Sequence, residues 1–172
     1  RWHAASGASW FVSSVKNEGK VVSAKWMASG LGVYDIYVNG CLVGNEFLKP
    51  GFTHYEKTKY SFTYDITEAF NTGSGAENVL AAQVTPGWWA DKIITPGGKI
   101  GMNGKKCAFR GVLELVYNDG TRKYYGTDLD NWKAGIAGPV KHSAIFDGEY
   151  YDARVQPGYA DADKFGRPEV NT

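Results

Sequence analysis

The sequence predicts an all-β fold, an antiparallel β-sandwich or jelly roll, on three observations. Short runs alternate apolar and polar residues, the period of a half-buried strand. Turn signals such as Asn39-Gly40 and Asn118-Asp119-Gly120 separate these runs, and 22 of the 172 residues are glycine. No stretch keeps a helical period for more than about one turn.

The elements follow in chain order. Residues 10–15 form the first strand and Asn17-Glu18-Gly19 closes it. Residues 21–28 continue, then 32–38, where Val33, Asp35 and Tyr37 share one face and Tyr34, Ile36 and Val38 the other. Asn39-Gly40 joins this run to residues 41–44 as a tight hairpin, because glycine accepts the positive φ the turn needs. Residues 45–58 read as an irregular loop around Pro50-Gly51, and 59–66 alternate again. Residues 67–70 allow one helical turn, and 71–76 are a glycine-bearing turn. The nearly all-apolar run 78–85 reads as a buried strand. A long loop opens at Pro86-Gly87-Trp88-Trp89 and runs through Pro96-Gly97-Gly98 to Lys106. The longest strand pattern, 107–117, forms a second hairpin with 122–126. Trp132 lies in a short strand, and 145–146 and 150–155 are extended. The expectation is roughly eight to ten strands.

Composition excludes several classes. Lysine plus arginine exceed aspartate plus glutamate by 19 to 18, without the basic excess of a nucleic-acid surface. The 43% hydrophobic content can build a core, and no apolar run approaches the ~20 residues that span a bilayer. No nucleic acid and no membrane is therefore expected as a partner. Aromatic residues reach 15%, and most of them are expected in the sandwich core. Cys41 and Cys107 are too few for a disulfide framework and read as two buried free thiols, with a disulfide between them as the alternative. The chain starts at Arg1 with nothing resembling a signal peptide, as expected of a processed product or an excised piece. Residues 1–9, with Trp2 and His3, read as an N-terminal connector, 10–158 as the β-domain, and 159–172 as a polar C-terminal linker.

Many catalytic patterns are missing. There is no phosphate-cradling glycine loop, no GxSxG elbow, and no metal spacing among His3, His54 and His142. Asp128-Leu129-Asp130-Asn131 lacks the glycine and distal glutamate of a calcium-binding loop and reads as a turn into Trp132. Asp147 and Glu149 would share a strand face about 7 Å apart, a spacing open to an acid/base pair. Hydrogen bonding at an edge or domain junction, with Arg154 as ion-pair partner, is the simpler reading. No catalytic residue is assigned.

Two places suit binding. If Trp88 and Trp89 continue a strand, their side chains point to opposite sides. One indole then completes the core and the other can stack on a sugar's C–H face, with Asp91 and Lys92 beside it for hydroxyls. Burial of both indoles is the alternative. Gly44-Asn45-Glu46 ends the first hairpin, and Asn45 and Glu46 offer oxygen donors for Ca²⁺ if loop carbonyls complete the shell. A plain turn in which Asn45 bonds its own backbone is the alternative.

The run Gly30-Leu31-Gly32-Val33-Tyr34-Asp35-Ile36-Tyr37-Val38-Asn39-Gly40, followed by Val43-Gly44 and Leu48-Lys49-Pro50-Gly51-Phe52-Thr53, resembles the N-terminal domain of bacterial α-L-rhamnosidases. Tyr64-Asp65-Ile66-Thr67, Asn78-Val79-Leu80, Gly87-Trp88-Trp89 and Phe146-Asp147-Gly148-Glu149-Tyr150-Tyr151-Asp152-Ala153-Arg154 extend the likeness over most of the chain. Phe52 stands where the family motif carries tryptophan. The resemblance implies a galactose-binding-domain-like jelly roll that accompanies a catalytic (α/α)₆ barrel in the same parent chain. It implies a non-catalytic accessory role, either binding L-rhamnose or a rhamnosylated glycan, or purely structural against that barrel. Some members bind the sugar through calcium held by an Asp-Asn pair and later loop carbonyls. Here Asn45 and Glu46 fall at that pair, the carbonyls fall between Trp89 and Gly97, and Trp88, Trp89 and Asp91 are the sugar-binding candidates. The family's setting implies a periplasmic or extracellular location.

Overall fold

The computed structural model describes residues 7–92, 101 and 103–169. Residues 1–6 of the expected connector, Pro96, Gly97 and Gly98, the loop carbonyls of 93–97, and 170–172 lie outside the described residues. Among the described residues eleven strands are formed: β1 (Ser9–Lys16), β2 (Val21–Leu31), β3 (Val33–Val38), β4 (Cys41–Val43), β5 (Phe62–Asp65), β6 (Glu77–Thr85), β7 (Ala108–Tyr117), β8 (Arg122–Gly126), β9 (Trp132–Ile136), β10 (Val140–Ala144) and β11 (Gly148–Tyr151). They build a five-stranded sheet in the order β4-β3-β6-β1-β9 and a four-stranded sheet in the order β5-β2-β7-β8, with β10-β11 as a separate ribbon. The named pairings are antiparallel, and the two larger sheets face each other as the expected jelly-roll β-sandwich.

Alternation along each strand fills the space between the sheets. Tyr34, Ile36 and Val38 of β3, Leu80, Ala82 and Val84 of β6, Trp26 of β2, and Leu113 and Leu115 of β7 are buried together. The Asn39-Gly40 turn forms as expected, with φ of 51° and 83°, the two positive values that a tight hairpin demands. At the end of the sandwich near that turn, buried Asn78 satisfies its neighbours. Its Oδ1 accepts from Asn39 Nδ2 at 2.9 Å and Asn71 N at 2.7 Å, and its Nδ2 donates to Asn71 O at 3.1 Å.

The outer face of the larger sheet carries a second core. Trp10 and Val12 point outward from β1, next to Ala81 of β6. The segment expected as a linker covers them. Residues Gly158–Lys164 form a 3₁₀ helix, longer than any helical turn expected from the sequence. Tyr159 meets Trp10 edge-on at 5.7 Å, Phe165 packs into the same cluster, and Gly166 bridges Ala134 of β9. The Trp10 indole N–H donates to Ala137 O at 3.1 Å. Trp10 is thus a large aromatic outside the inter-sheet core, because a strand pair with apolar residues on both faces needs cover on both. Among the described residues no helix is long and apolar enough to cross a membrane.

Candidate functional site at the loop end of the sandwich

Strand direction brings the two predicted binding segments to one end. β4 and β6 both run antiparallel to β3, with Val43 opposite Ile36 and Ala82 opposite the same residue. The chain therefore leaves β4 at Gly44 and β6 at Pro86 on the same side. The loop of residues 44–61 and the segment after β6 meet there. Tyr34 N donates to Lys49 O at 2.8 Å, fixing the first loop to β3.

Trp88 and Trp89 do not continue a strand. Gly87–Ala90 is a single α-helical turn, α1, so adjacent side chains diverge by about 100° rather than pointing to opposite faces. Pro86 opens that turn, and Ala90 N and Asp91 N close it on Pro86 O and Gly87 O. Both indoles are half-buried, so neither alternative expected from the sequence holds in full. Trp89 meets Tyr55 edge-on at 5.2 Å, and Tyr55 meets Phe52 edge-on at 6.0 Å. The Trp89 indole N–H donates to Lys106 O at 2.9 Å. Gly104 lies against the Trp89 ring so closely that a Cβ there would stand 2.0 Å from Cζ2. Trp89 is therefore a fixed wall with its orientation set from two sides. Trp88 contributes its carbonyl, which accepts from Asn103 Nδ2 at 3.0 Å.

Asp91 and Lys92 have separate roles. Lys92 Nζ is bound to both Asp147 oxygens at 2.9 and 3.1 Å, which ties this loop to the ribbon. Asp91 Oδ2 is buried without a hydrogen-bond partner among the described residues.

Asn45 and Glu46 are both exposed, just beyond Gly44 with its φ of 79°. Glu46 Oε2 folds back to within 2.5 Å of where a Gly44 Cβ would be, a position only glycine leaves open. It lies beside the ring of Tyr64, whose hydroxyl is buried with no well-aligned partner among the described residues. Burial, and next the Glu46 charge, raise the Tyr64 pKa above its usual value. Burial likewise dominates the rise at neighbouring Tyr34. Beneath the same loop lies Lys49, with only 1% of its side chain exposed. Its ammonium donates to Val43 O at 3.2 Å, sits 3.6 Å from Asp35, and lies over the Tyr64 and Tyr34 rings. Its burial is not legible in the sequence, where Lys49 stands in the family-like motif with nothing to mark it as covered.

Asn45 and Glu46 suit calcium in donor chemistry but supply only part of a shell of roughly six to eight oxygens. Among the described residues no group of three or more His, Cys, Asp or Glu side chains converges as a metal site. Carbonyls and water would have to supply the remainder.

Asp147 and Glu149 do not share a strand face, and hydrogen bonding at an edge, the simpler reading, fits Asp147. Asp147 sits in the turn ahead of β11 and is held by Lys92, while Glu149 is exposed within β11. Arg154 makes a two-pronged pair with Asp152, with both contacts at 2.8 Å. The Asp128 carboxylate accepts from Asn131 N and Nδ2 at 2.6 and 2.9 Å, the turn expected before Trp132.

Residues 19–169 match the family model described as the α-L-rhamnosidase N-terminal domain. The chain belongs to this family. It is 37% identical over 150 residues to an α-L-rhamnosidase of Streptomyces avermitilis, covering 83% of this chain and 14% of that protein. The structure of native α-L-rhamnosidase from Aspergillus terreus superposes with a TM-score of 0.82 at 29% identity, over 91% of this chain and 18% of that one. The Streptomyces avermitilis α-L-rhamnosidase complexed with L-rhamnose superposes with a TM-score of 0.80 at 32% identity, over 96% and 15%. The chain thus spans 14–18% of the length of these relatives.

Proposed function

We propose that this domain is a non-catalytic accessory of an α-L-rhamnosidase that binds L-rhamnose, or a rhamnosylated glycan, at the loop end of the sandwich. One observation carries the reading. The Tyr55–Trp89 contact at 5.2 Å locks the loop bearing Asn45 and Glu46 to the segment bearing Trp88, Trp89 and Asp91. A half-buried Trp89 ring held from two sides, two residues before the Asp91 carboxylate, suits a sugar, with a C–H face to stack and hydroxyls to bond. The match to a rhamnosidase complexed with L-rhamnose supports the choice of sugar. Asn45 and Glu46 would hold Ca²⁺ with loop carbonyls, and Asp91 would bond sugar hydroxyls. Catalysis would belong to an (α/α)₆ barrel elsewhere in the parent protein, in a periplasmic or extracellular setting. The test follows the indole N–H resonances of the ¹⁵N-labelled chain during addition of L-rhamnose with calcium. Those of Trp88 and Trp89 should move while buried Trp26 stays. Asn45→Ala and Glu46→Ala should abolish the movement. No movement at tens of millimolar sugar defeats the proposal.

A structural role is favoured by a different observation. The β10-β11 ribbon exposes Phe146, Tyr150 and Tyr151, with Ile136 of β9 70% exposed. A two-stranded ribbon is marginal by itself, and these side chains suit packing against the parent's catalytic barrel. Addition of such a barrel as a separate chain should then shift Tyr150 and Tyr151 signals. Failure to shift them removes this reading.

A further inference from the structure

Beside Trp89 lies an open concavity of about 510 Å³, and Asn45 and Glu46 do not line it. Its apolar wall is made by Phe52, Tyr55 and Trp89, with Tyr55 buried between the other two and Phe52 57% exposed. His54 and Glu56 line it from one loop and Asn103 from the other. Asn103 spends its amide N–H on Trp88 O, which leaves its carbonyl oxygen as an acceptor.

The first loop is held in shape by its own bonds. Lys57 N and Thr58 N both donate to His54 O, at 2.8 and 2.9 Å. Thr53 Oγ1 donates to Thr58 O, and Lys59 Nζ to Tyr55 O, each at 2.6 Å. A ligand entering here therefore meets a preformed wall and does not have to order it.

We infer that this concavity is a second saccharide subsite, taking the neutral sugar unit next to the rhamnosyl group of a glycan. Ring-like apolar walls with polar groups at the rim match a pyranose, whose faces are C–H and whose edges are hydroxyl. Glu56 offsets the positive charge of Lys59, which disfavours an anion such as a phosphate. The volume lies within the roughly 300–1,000 Å³ of small-ligand sites and exceeds what one sugar ring fills. Trp89 borders both this concavity and the segment already assigned to rhamnose, so one glycan can reach both. The inference rests on the rhamnose-binding reading for its neighbour and on the concavity for itself.

Calorimetric titrations of the 172-residue chain with L-rhamnose, glucose, and a disaccharide of α-L-rhamnose linked to glucose separate the two. The disaccharide should bind at least about fivefold more tightly than L-rhamnose. Phe52→Ala and Glu56→Gln, checked for native thermal transitions, should bring it back to the L-rhamnose level while leaving L-rhamnose unchanged. Equal affinity for the two sugars, or equal weakening of both by Phe52→Ala, overturns the subsite and leaves the rhamnose reading standing. Disaccharide binding that depends on Phe52 without L-rhamnose binding upholds the subsite and overturns the Asn45-Glu46 assignment. No binding of either sugar overturns both.

Discussion

Cys107 lies just ahead of β7, where burial pushes its thiol up to about 11. Cys41 is exposed at the start of β4, not buried as its sequence neighbours suggested, because a three-residue edge strand covers little. Both are free. A thiol reagent at pH 7.5 should therefore label one cysteine within minutes and the second only after denaturation. Fast labelling of both would contradict the burial of Cys107. Asp65 behaves differently. The Thr67 hydroxyl and amide donate to its Oδ1 at 2.6 and 3.0 Å and hold its pKa below the usual 3.8. The folded state then binds fewer protons than the unfolded one in that range. Its contribution is present above about pH 3.8 and is lost as pH falls through the lower folded value. Asp65→Asn should flatten the loss of stability below pH 4 in urea titrations, and an unchanged acid limb would remove the role of these bonds.

Asparagine side chains join several elements at the end opposite the candidate site. Asn78 of β6 links Asn39 after β3 with Asn71 in the turn before β6, and Asn17 Nδ2 reaches Asn71 O and Gly73 O at 2.7 and 2.9 Å. Asn78→Ala would strip several buried partners at once, so urea denaturation should show a loss of about 2–3 kcal/mol. A loss below about 0.5 kcal/mol would mean that water replaces the amide. The strand carrying Asn78 is legible in the sequence because its run is nearly all apolar, but the network is not, because its partners lie up to 61 positions apart. Trp88 and Trp89 show a second limit. In the sequence they open a loop directly after a buried strand and could extend it by a residue or two, yet Pro86 and Gly87, with its φ of 47°, curl the chain into α1. Local geometry won over the pattern of the preceding strand. Tyr55 lies in the irregular loop of residues 45–58, and its contact with Trp89 is not legible in the sequence because no local pattern spaces the two together.

At the scale of the whole molecule, the sandwich was predictable from alternation and turns, but its outer cover was not. Nothing periodic in residues 158–166 announces that they pack on Trp10. The contact spans nearly the whole chain, and polarity masks Tyr159 and Phe165 among charged neighbours. Truncation after Pro157 should expose Trp10 and Val12 and destabilise the domain by about 2–4 kcal/mol in urea denaturation. An unchanged midpoint would show that this segment is dispensable. The same architecture brings the loop of residues 44–61 and the segment after β6 to one end of the sandwich, and the proposed sugar site rests on that meeting. Its most direct test is calorimetry of the domain with L-rhamnose, in calcium and again in chelator. Saturable heat is expected in calcium, with a dissociation constant on the order of a millimolar or tighter, and it should fall sharply in chelator. Flat titrations in both buffers up to tens of millimolar L-rhamnose would contradict it.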